Sequence, residues 1–239
     1  PLYIGNTGKK KTELIGNKYI GAEHKEIELK NITTINVPFM SEKNTLTKYK
    51  VDVYTGHFGK CDYIFLSNDR FFNIDPHKDN PPAQDGCYIK NKYGINEVER
   101  FAFFSKAVYV LIKNICAEKI SEIECPNGII ANDWNSGALS GLLKYFTTAQ
   151  VENKTMDSSL AEKIKTIPVV HIAHHLGYQG WDYENTAKIL NSLYEDRAAV
   201  VFKNAKANKN SNPRTTNTQI LHDCYNHASC NVHFADKIE

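Results

Sequence analysis

The stretch "NGIIANDWNSGALSGLLKYF", Asn127 to Phe146, followed by "KTIPVVHIAHH", Lys165 to His175, decides the fold. An Asn-Gly turn opens onto a short apolar run of strand length, and "SGALSGLLKYF" then reads as a helix. The second piece is again a continuous apolar run. Strand, helix, strand at this spacing is a βαβ unit, which implies an α/β fold with an open, mainly parallel sheet and right-handed crossovers. In such sheets ligands bind beyond the carboxyl ends of the strands. Two polar clusters fall there, "NDWNSG" after Ile130 and "HHLGYQG" after Ile172. If the two strands are neighbours, Asp133 and His174 converge on one cleft.

Upstream, "NEVERFAFFSKAVYVLIKNIC" is the clearest helix. Asn96 with Glu99 makes a capping box, and Phe101, Phe104, Val108, Leu111, Ile112 and Ile115 recur at three- and four-residue steps. Residues 27–39, 49–54 and 61–68 carry the β-branched enrichment and alternation of half-buried strands. The Pro-, Asn- and Asp-rich run at 73–86 is a loop. Downstream, residues 203–217 are Lys/Asn-rich and almost free of apolar side chains, which predicts a flexible insertion. "TQILHDCYNHASCNVHFADKI" has enough apolar periodicity for a final helix.

With 239 residues and 41% hydrophobic content, the chain can bury a sizeable core, and one domain over 1–239 is expected. A net charge of +2 favours neither nucleic acid nor a membrane surface. No apolar run approaches the roughly 20 residues that span a bilayer. No secretory signal opens the chain, so the cytoplasm is the expected compartment. The six cysteines follow no paired spacing, so reduced thiols are expected. The abrupt start at "PLY" and end at "ADKIE" read as those of a fragment.

Asp133 has two readings: a cap for the helix that follows, or a ligand contact. Asn135 or Ser136 could take the cap instead. Period-two alternation places His171 and His175 on one strand face and His174 on the other, which spoils a three-histidine metal site. His171, inside an apolar strand, reads as a hydrogen-bonded core residue. In the tail, Cys224, His227 and Cys230 share a helix side and could hold a metal or simply pack. Neither a Walker-type loop nor GxGxxG is present, which removes P-loop chemistry and weakens a dinucleotide reading.

Three motifs, "YGINEVERFAFFSKA" (93–107), "NGIIANDWNSGALSGLLK" (127–144) and "IPVVHIAHHLGYQGWDY" (167–183), together resemble the glycogen/starch synthase family of retaining glucosyltransferases. There an "ERFAFFSRA" helix, a strand ending "HDWH[TA]G" and a strand ending "IHNLAYQG" follow in the same order. The resemblance implies the N-terminal, acceptor-side Rossmann-like domain of a GT-B fold, with helices on both faces of the sheet and truncated at both ends. The partner C-terminal nucleotide-binding domain would lie outside the chain, as would the family's upstream "KTGGLADV" loop.

By motif position the resemblance makes Asp133 and His174 the catalytic candidates. Tyr93, Trp134, Asn135, His175, Tyr178 and Gln179 become candidate substrate-binding residues. It implies glucosyl transfer from ADP- or UDP-glucose to the non-reducing 4-hydroxyl of an α-1,4-glucan, with retention. Beyond the nucleotide-sugar donor no cofactor is expected, and no metal. The chain departs from the motifs at Asn132, Asn135 and His175. A non-catalytic glucan-binding or regulatory module, or a retaining transferase with another acceptor, are the alternatives.

Overall fold

The computed structural model describes residues 18–20, 26–58, 60–72, 91, 93–174, 180–182, 184–195, 225–226 and 237–238. The expected loop at 73–86 and insertion at 203–217 lie outside them. The chain divides into two compact units, one of residues 1–36 with 49–100, the other of residues 37–48 with 101–239.

Strands dominate the first seventy residues. β1 (Lys18–Ile20) and β2 (Glu26–Glu28) pair antiparallel. β3 (Lys30–Met40), β4 (Leu46–Phe58) and β5 (Cys61–Ser67) form a sheet in that order. β4 and β5 run antiparallel, in register from Asp52↔Ser67 to Phe58↔Cys61. The alternation expected from the sequence is present: Ile35, Val37 and Phe39 of β3 and Val51 and Val53 of β4 are buried, while Thr34, Asn36 and Lys50 are exposed. Leu29 and Phe65 form an apolar cluster, with Tyr54 and Tyr63 packed against it.

α1 (Glu97–Cys116) begins where the capping box places it: the Glu99 backbone N–H donates to Asn96 Oδ1 at 2.8 Å. Glu97 and Glu99 in the first turn and Lys113 in the last complement the helix dipole. Phe101, Ala102, Phe103, Ala107, Leu111 and Ile112 are all buried, so more than one face of α1 is covered. Within the expected stripe Phe104 and Val108 are only half-buried. The surprise is Lys106, fully buried on the same helix. Its Nζ donates to the Leu193 carbonyl at 2.5 Å and to Glu195 Oε1 at 2.9 Å, and stands 4.0 Å from the Phe146 ring centroid. Paired in this way, the ammonium is tolerated in the core.

The second unit holds the parallel sheet. β6 (Ile129–Asn132), β7 (Val169–Ile172) and β10 (Lys237–Ile238) run in the order β10–β7–β6, every pair parallel. The register runs from Ile129↔Val169 to Asn132↔Ile172. The α/β class expected from the sequence is thus present, with the parallel pairing in this sheet and antiparallel pairing in β4–β5. The crossover from β6 to β7 is not one helix. It comprises a 3₁₀ turn (Trp134–Ser136), α2 (Leu139–Gly141), a π turn (Leu142–Phe146), α3 (Thr147–Glu152) and α4 (Ser158–Lys165). At the π turn both the backbone N–H and the Oγ1 hydroxyl of Thr147 reach back to the Leu142 carbonyl, five residues earlier. α4 starts at Asp157, whose Oδ1 accepts from Ser159 N at 2.8 Å and Leu160 N at 3.3 Å. α5 (Thr186–Tyr194) ends on Glu195 in the left-handed conformation.

Two expectations are corrected. The final helix is absent where the tail is described: Tyr225–Asn226 forms β9, antiparallel to β8 (Trp181–Asp182), and Lys237–Ile238 forms β10 against Val170 and His171. The free edge of apolar β7 offers backbone groups that must be paired when buried, and this outweighs the weak helical periodicity. The cysteines are not all reduced. Cys116 and Cys125, nine residues apart with Cα atoms 5.0 Å from one another, form a disulfide between the end of α1 and the segment entering β6. Their partnership depends on where α1 stops, which spacing does not reveal.

Candidate functional site

Because β6 and β7 are adjacent and parallel, their carboxyl ends lie side by side. The ladder continues one step past β6: Asp133 N–H donates to the Ile172 carbonyl at 2.8 Å. Asp133 itself has φ 57° and ψ −177°, a conformation that side-chain-bearing residues rarely adopt. That kink turns the chain from strand into the 3₁₀ turn. Asp133 Oδ1 accepts from Trp134 N at 2.9 Å, and the Ser136 hydroxyl donates toward the carbonyls of Asn132 at 3.1 Å and Asp133 at 3.0 Å. The cap therefore falls to Asp133 rather than to Asn135 or Ser136, and the strain is held by local hydrogen bonds.

Across the strand boundary, His174 Nε2 lies 2.7 Å from Asn132 Oδ1. With its N–H on Nε2 the imidazole donates to that oxygen, and Nδ1 is then the ring's acceptor nitrogen. β7 ends at Ile172, two residues before His174, so the ring is placed by this bond and not by strand alternation. His174 is exposed.

His171 behaves differently. Only 1% exposed, it donates from Nδ1 to the Ala131 carbonyl of β6 at 3.0 Å. Burial pushes its pKa below the usual histidine value, so the ring is neutral in the fold.

Trp134 is 3% exposed and packs edge-on against Phe101, ring centroids 4.8 Å apart, which puts its ring in the core and not on a sugar-facing surface. Asn135 is buried beside it in sequence. Tyr93 belongs to the first unit, is 40% exposed and carries the Arg70 guanidinium 5.3 Å from its ring centroid. His175, Tyr178 and Gln179 lie outside the described residues, as do Cys224, His227 and Cys230. Among the described residues no group of three or more His, Cys, Asp or Glu is placed to hold a metal. The structure thus brings together Asn132, Asp133 and His174. In the sequence Asn132 stands out only as a departure from a motif, and its signal is a polar side chain ending an apolar strand next to the ligand-bearing crevice.

This set can bind and orient hydroxyl groups through an imidazole nitrogen and a carboxylate oxygen. A sequence model of the starch synthase catalytic domain family matches residues 8–238. The chain belongs to that family. Among solved structures, this starch synthase family chain is similar to the catalytic domain of Starch Synthase IV from Arabidopsis thaliana bound to ADP and acarbose. The identity is 17% and the TM-score 0.49, over 88% of this chain and 33% of that one. The chain therefore spans about a third of the length of that protein. No match is found among curated proteins. No helix among the described residues is long and apolar enough to cross a membrane.

Proposed function

We propose that this chain is the acceptor-side domain of a glucosyltransferase that extends α-1,4-glucans. The donor is ADP- or UDP-glucose, the acceptor is the non-reducing 4-hydroxyl, and configuration is retained. One observation carries the reading: in a chain matched by the starch synthase family over nearly its whole length, His174 and Asp133 stand at the adjacent carboxyl ends of β6 and β7.

In this reading His174, fixed by Asn132, accepts a hydrogen bond at Nδ1 from a donor-glucose hydroxyl and orients the sugar. Asp133 contributes its second carboxylate oxygen, Oδ1 being directed to Trp134 N. Asn135, His175, Tyr178 and Gln179 complete the proposed substrate contacts, and Trp134 supports the turn from the core. The nucleotide is held by a C-terminal nucleotide-binding domain of the same protein, and the 239-residue chain alone is inactive. No step requires a metal.

The test is release of nucleotide diphosphate by the full-length protein given each nucleotide sugar and a glucan primer. Release that depends on His174 is expected. No release with either donor, together with no effect of His174→Ala, would sink the proposal. A second reading, a glucan-binding module without turnover, is favoured by the commitment of Asp133 Oδ1 to its own backbone and by Asn132 standing where the family motif has histidine. Glucan affinity without release would select it.

A further inference from the structure

We propose that the Cys116–Cys125 bridge is a reversible thiol–disulfide exchange site, opened by a dithiol reductant, and that its opening releases the segment that feeds β6 and with it the placement of Asn132 and Asp133. The exchange itself stands apart from the proposed function; only its effect on glucosyl transfer rests on that reading.

The bridge fastens a segment that little else holds. α1 closes on itself: Glu118 adopts the left-handed conformation at φ 57°, its N–H donates to the Ile115 carbonyl at 2.9 Å, and the Lys119 N–H donates to the Asn114 carbonyl at 3.0 Å. Cys116, 3% exposed, is thereby fixed in the last turn. Ile120 is buried, and there the ordered contacts stop. Among the described residues, 121–128 hold a single hydrogen bond, from the Ser121 hydroxyl to Glu122 Oε2 at 3.3 Å, so the covalent link at Cys125 is their main tie. Backbone pairing resumes where the Ile129 N–H donates to the Pro168 carbonyl at 2.9 Å.

The two sulfurs differ in the way that exchange requires. Cys125 is half-buried on a segment whose Ser121, Glu122, Glu124, Asn127 and Gly128 are exposed, so its Sγ is the one an incoming thiolate reaches. The S–S bond breaks, its electron pair leaves on Cys116 Sγ, and that sulfur takes up a proton. The second thiol of the reductant gives up its proton and attacks its own sulfur in the mixed disulfide. Cys125 leaves as a thiolate and is protonated. Two electrons and two protons have then passed to the protein, and the dithiol has become a cyclic disulfide. The leaving Cys116 sulfur stands at the negative end of the α1 dipole, which disfavours a thiolate. Lys163 of α4 offsets this: its Nζ donates to the Cys116 carbonyl at 3.1 Å and lies 3.7 Å from Glu118 Oε1.

β6 carries the consequence to the site. Among the described residues it is an edge strand, paired with β7 alone. With its upstream end released, pairing on one side must hold its register, and a strand held in this way opens locally at low cost. Asn132 Oδ1 is then no longer kept at 2.7 Å from His174 Nε2. Opening the bridge therefore lowers transfer.

The experiment equilibrates the 239-residue chain in buffers of graded reduced-to-oxidised dithiothreitol ratio, traps thiols by alkylation for mass spectrometry, and follows amide hydrogen exchange. Expected is one reversible two-electron transition with thiols at residues 116 and 125. Amides of 121–132 should exchange about tenfold faster in the reduced chain while those of α5 do not change. Cys125→Ser should show the fast exchange at every ratio, with circular dichroism checking its fold. A bridge that opens only when the whole chain unfolds would overturn the proposal, as would equal exchange of 121–132 in both states. In the full-length protein, nucleotide diphosphate release should fall about fivefold on reduction and should not respond to dithiothreitol in Cys125→Ser. Equal release by oxidised and reduced protein, or a dithiothreitol response that survives in Cys125→Ser, would also overturn it. Release in neither state would remove the transferase reading alone, and the exchange measurement would still decide whether the bridge is a latch.

Discussion

Asn132 and His174 lie forty-two residues apart in sequence yet are joined by a 2.7 Å hydrogen bond between the ends of neighbouring parallel strands. The bond fixes which imidazole nitrogen faces outward. In the full-length protein Asn132→Ala is therefore expected to lower kcat about tenfold with little change in glucan KM, because orientation is lost while binding surface remains. His174→Ala removes the hydrogen-bonding group itself, and the loss should reach roughly 10²–10³. Steady-state kinetics with each nucleotide sugar measures both.

Asp133 separates stability from activity. Its backbone at φ 57° stores strain of order 1–3 kcal/mol that glycine would not feel. Asp133→Gly is expected to be more stable than Asp133→Ala by about that amount, since both lose the bond to Trp134 N and only alanine keeps the strain. Denaturant melts of the two variants decide it. Both should lose glucosyl transfer in the full-length protein.

His171 gives a pH signature. Its folded pKa is depressed by burial, so the unfolded chain binds the proton more readily. The stability it contributes is complete above the ordinary histidine value of about 6.5 and is lost as pH falls from there through the lower folded pKa. Urea melts between neutral and mildly acidic pH should show this slope in the native chain and a flatter one in His171→Asn.

The Cys116–Cys125 bridge closes a short loop between α1 and β6. In the chain-entropy picture a loop of this size is worth roughly 2–3 kcal/mol. Cys125→Ser, or incubation with a dithiol reductant, should lower the melting temperature. Equal melting of oxidised and reduced protein would contradict this.

Lys106 and Glu195 form a pair whose lysine is fully buried. Lys106→Ala leaves the Glu195 carboxylate and the Leu193 carbonyl without their donor and is expected to cost about 3–5 kcal/mol. Lys106→Met with Glu195→Gln should recover much of it, and a double-mutant cycle by chemical denaturation quantifies the coupling.

The parts of the fold legible in the sequence are those where one local signal dominates. Asn96 and Glu99 start α1, the apolar runs of β6 and β7 announce a parallel pair, and Val51 and Val53 alternate as half-buried strands do. The break in the helix between β6 and β7 is not legible, because the five-residue return bonds of Thr147 to the Leu142 carbonyl are local features that periodicity does not encode. α4 and α5, of 8 and 9 residues, are too short to show a clear period in the sequence. At the site, the convergence of Asp133 and His174 followed from the strand order. The bond from Asn132 did not, because a side chain's partner across a sheet depends on register and rotamer rather than on spacing. Trp134 is a substrate-binding candidate by motif position and a core residue in the fold, since an aromatic side chain gives no sign of which way its turn points it.

The buried ammonium of Lys106 also orders events in time. Its partners at residues 193 and 195 are synthesised nearly ninety residues later, and an unpaired ammonium cannot enter an apolar core without a large desolvation cost. The packing of α1 around Lys106 can therefore be completed only once the end of α5 has arrived, so this one side chain ties the closing of the core to the last part of the chain it needs.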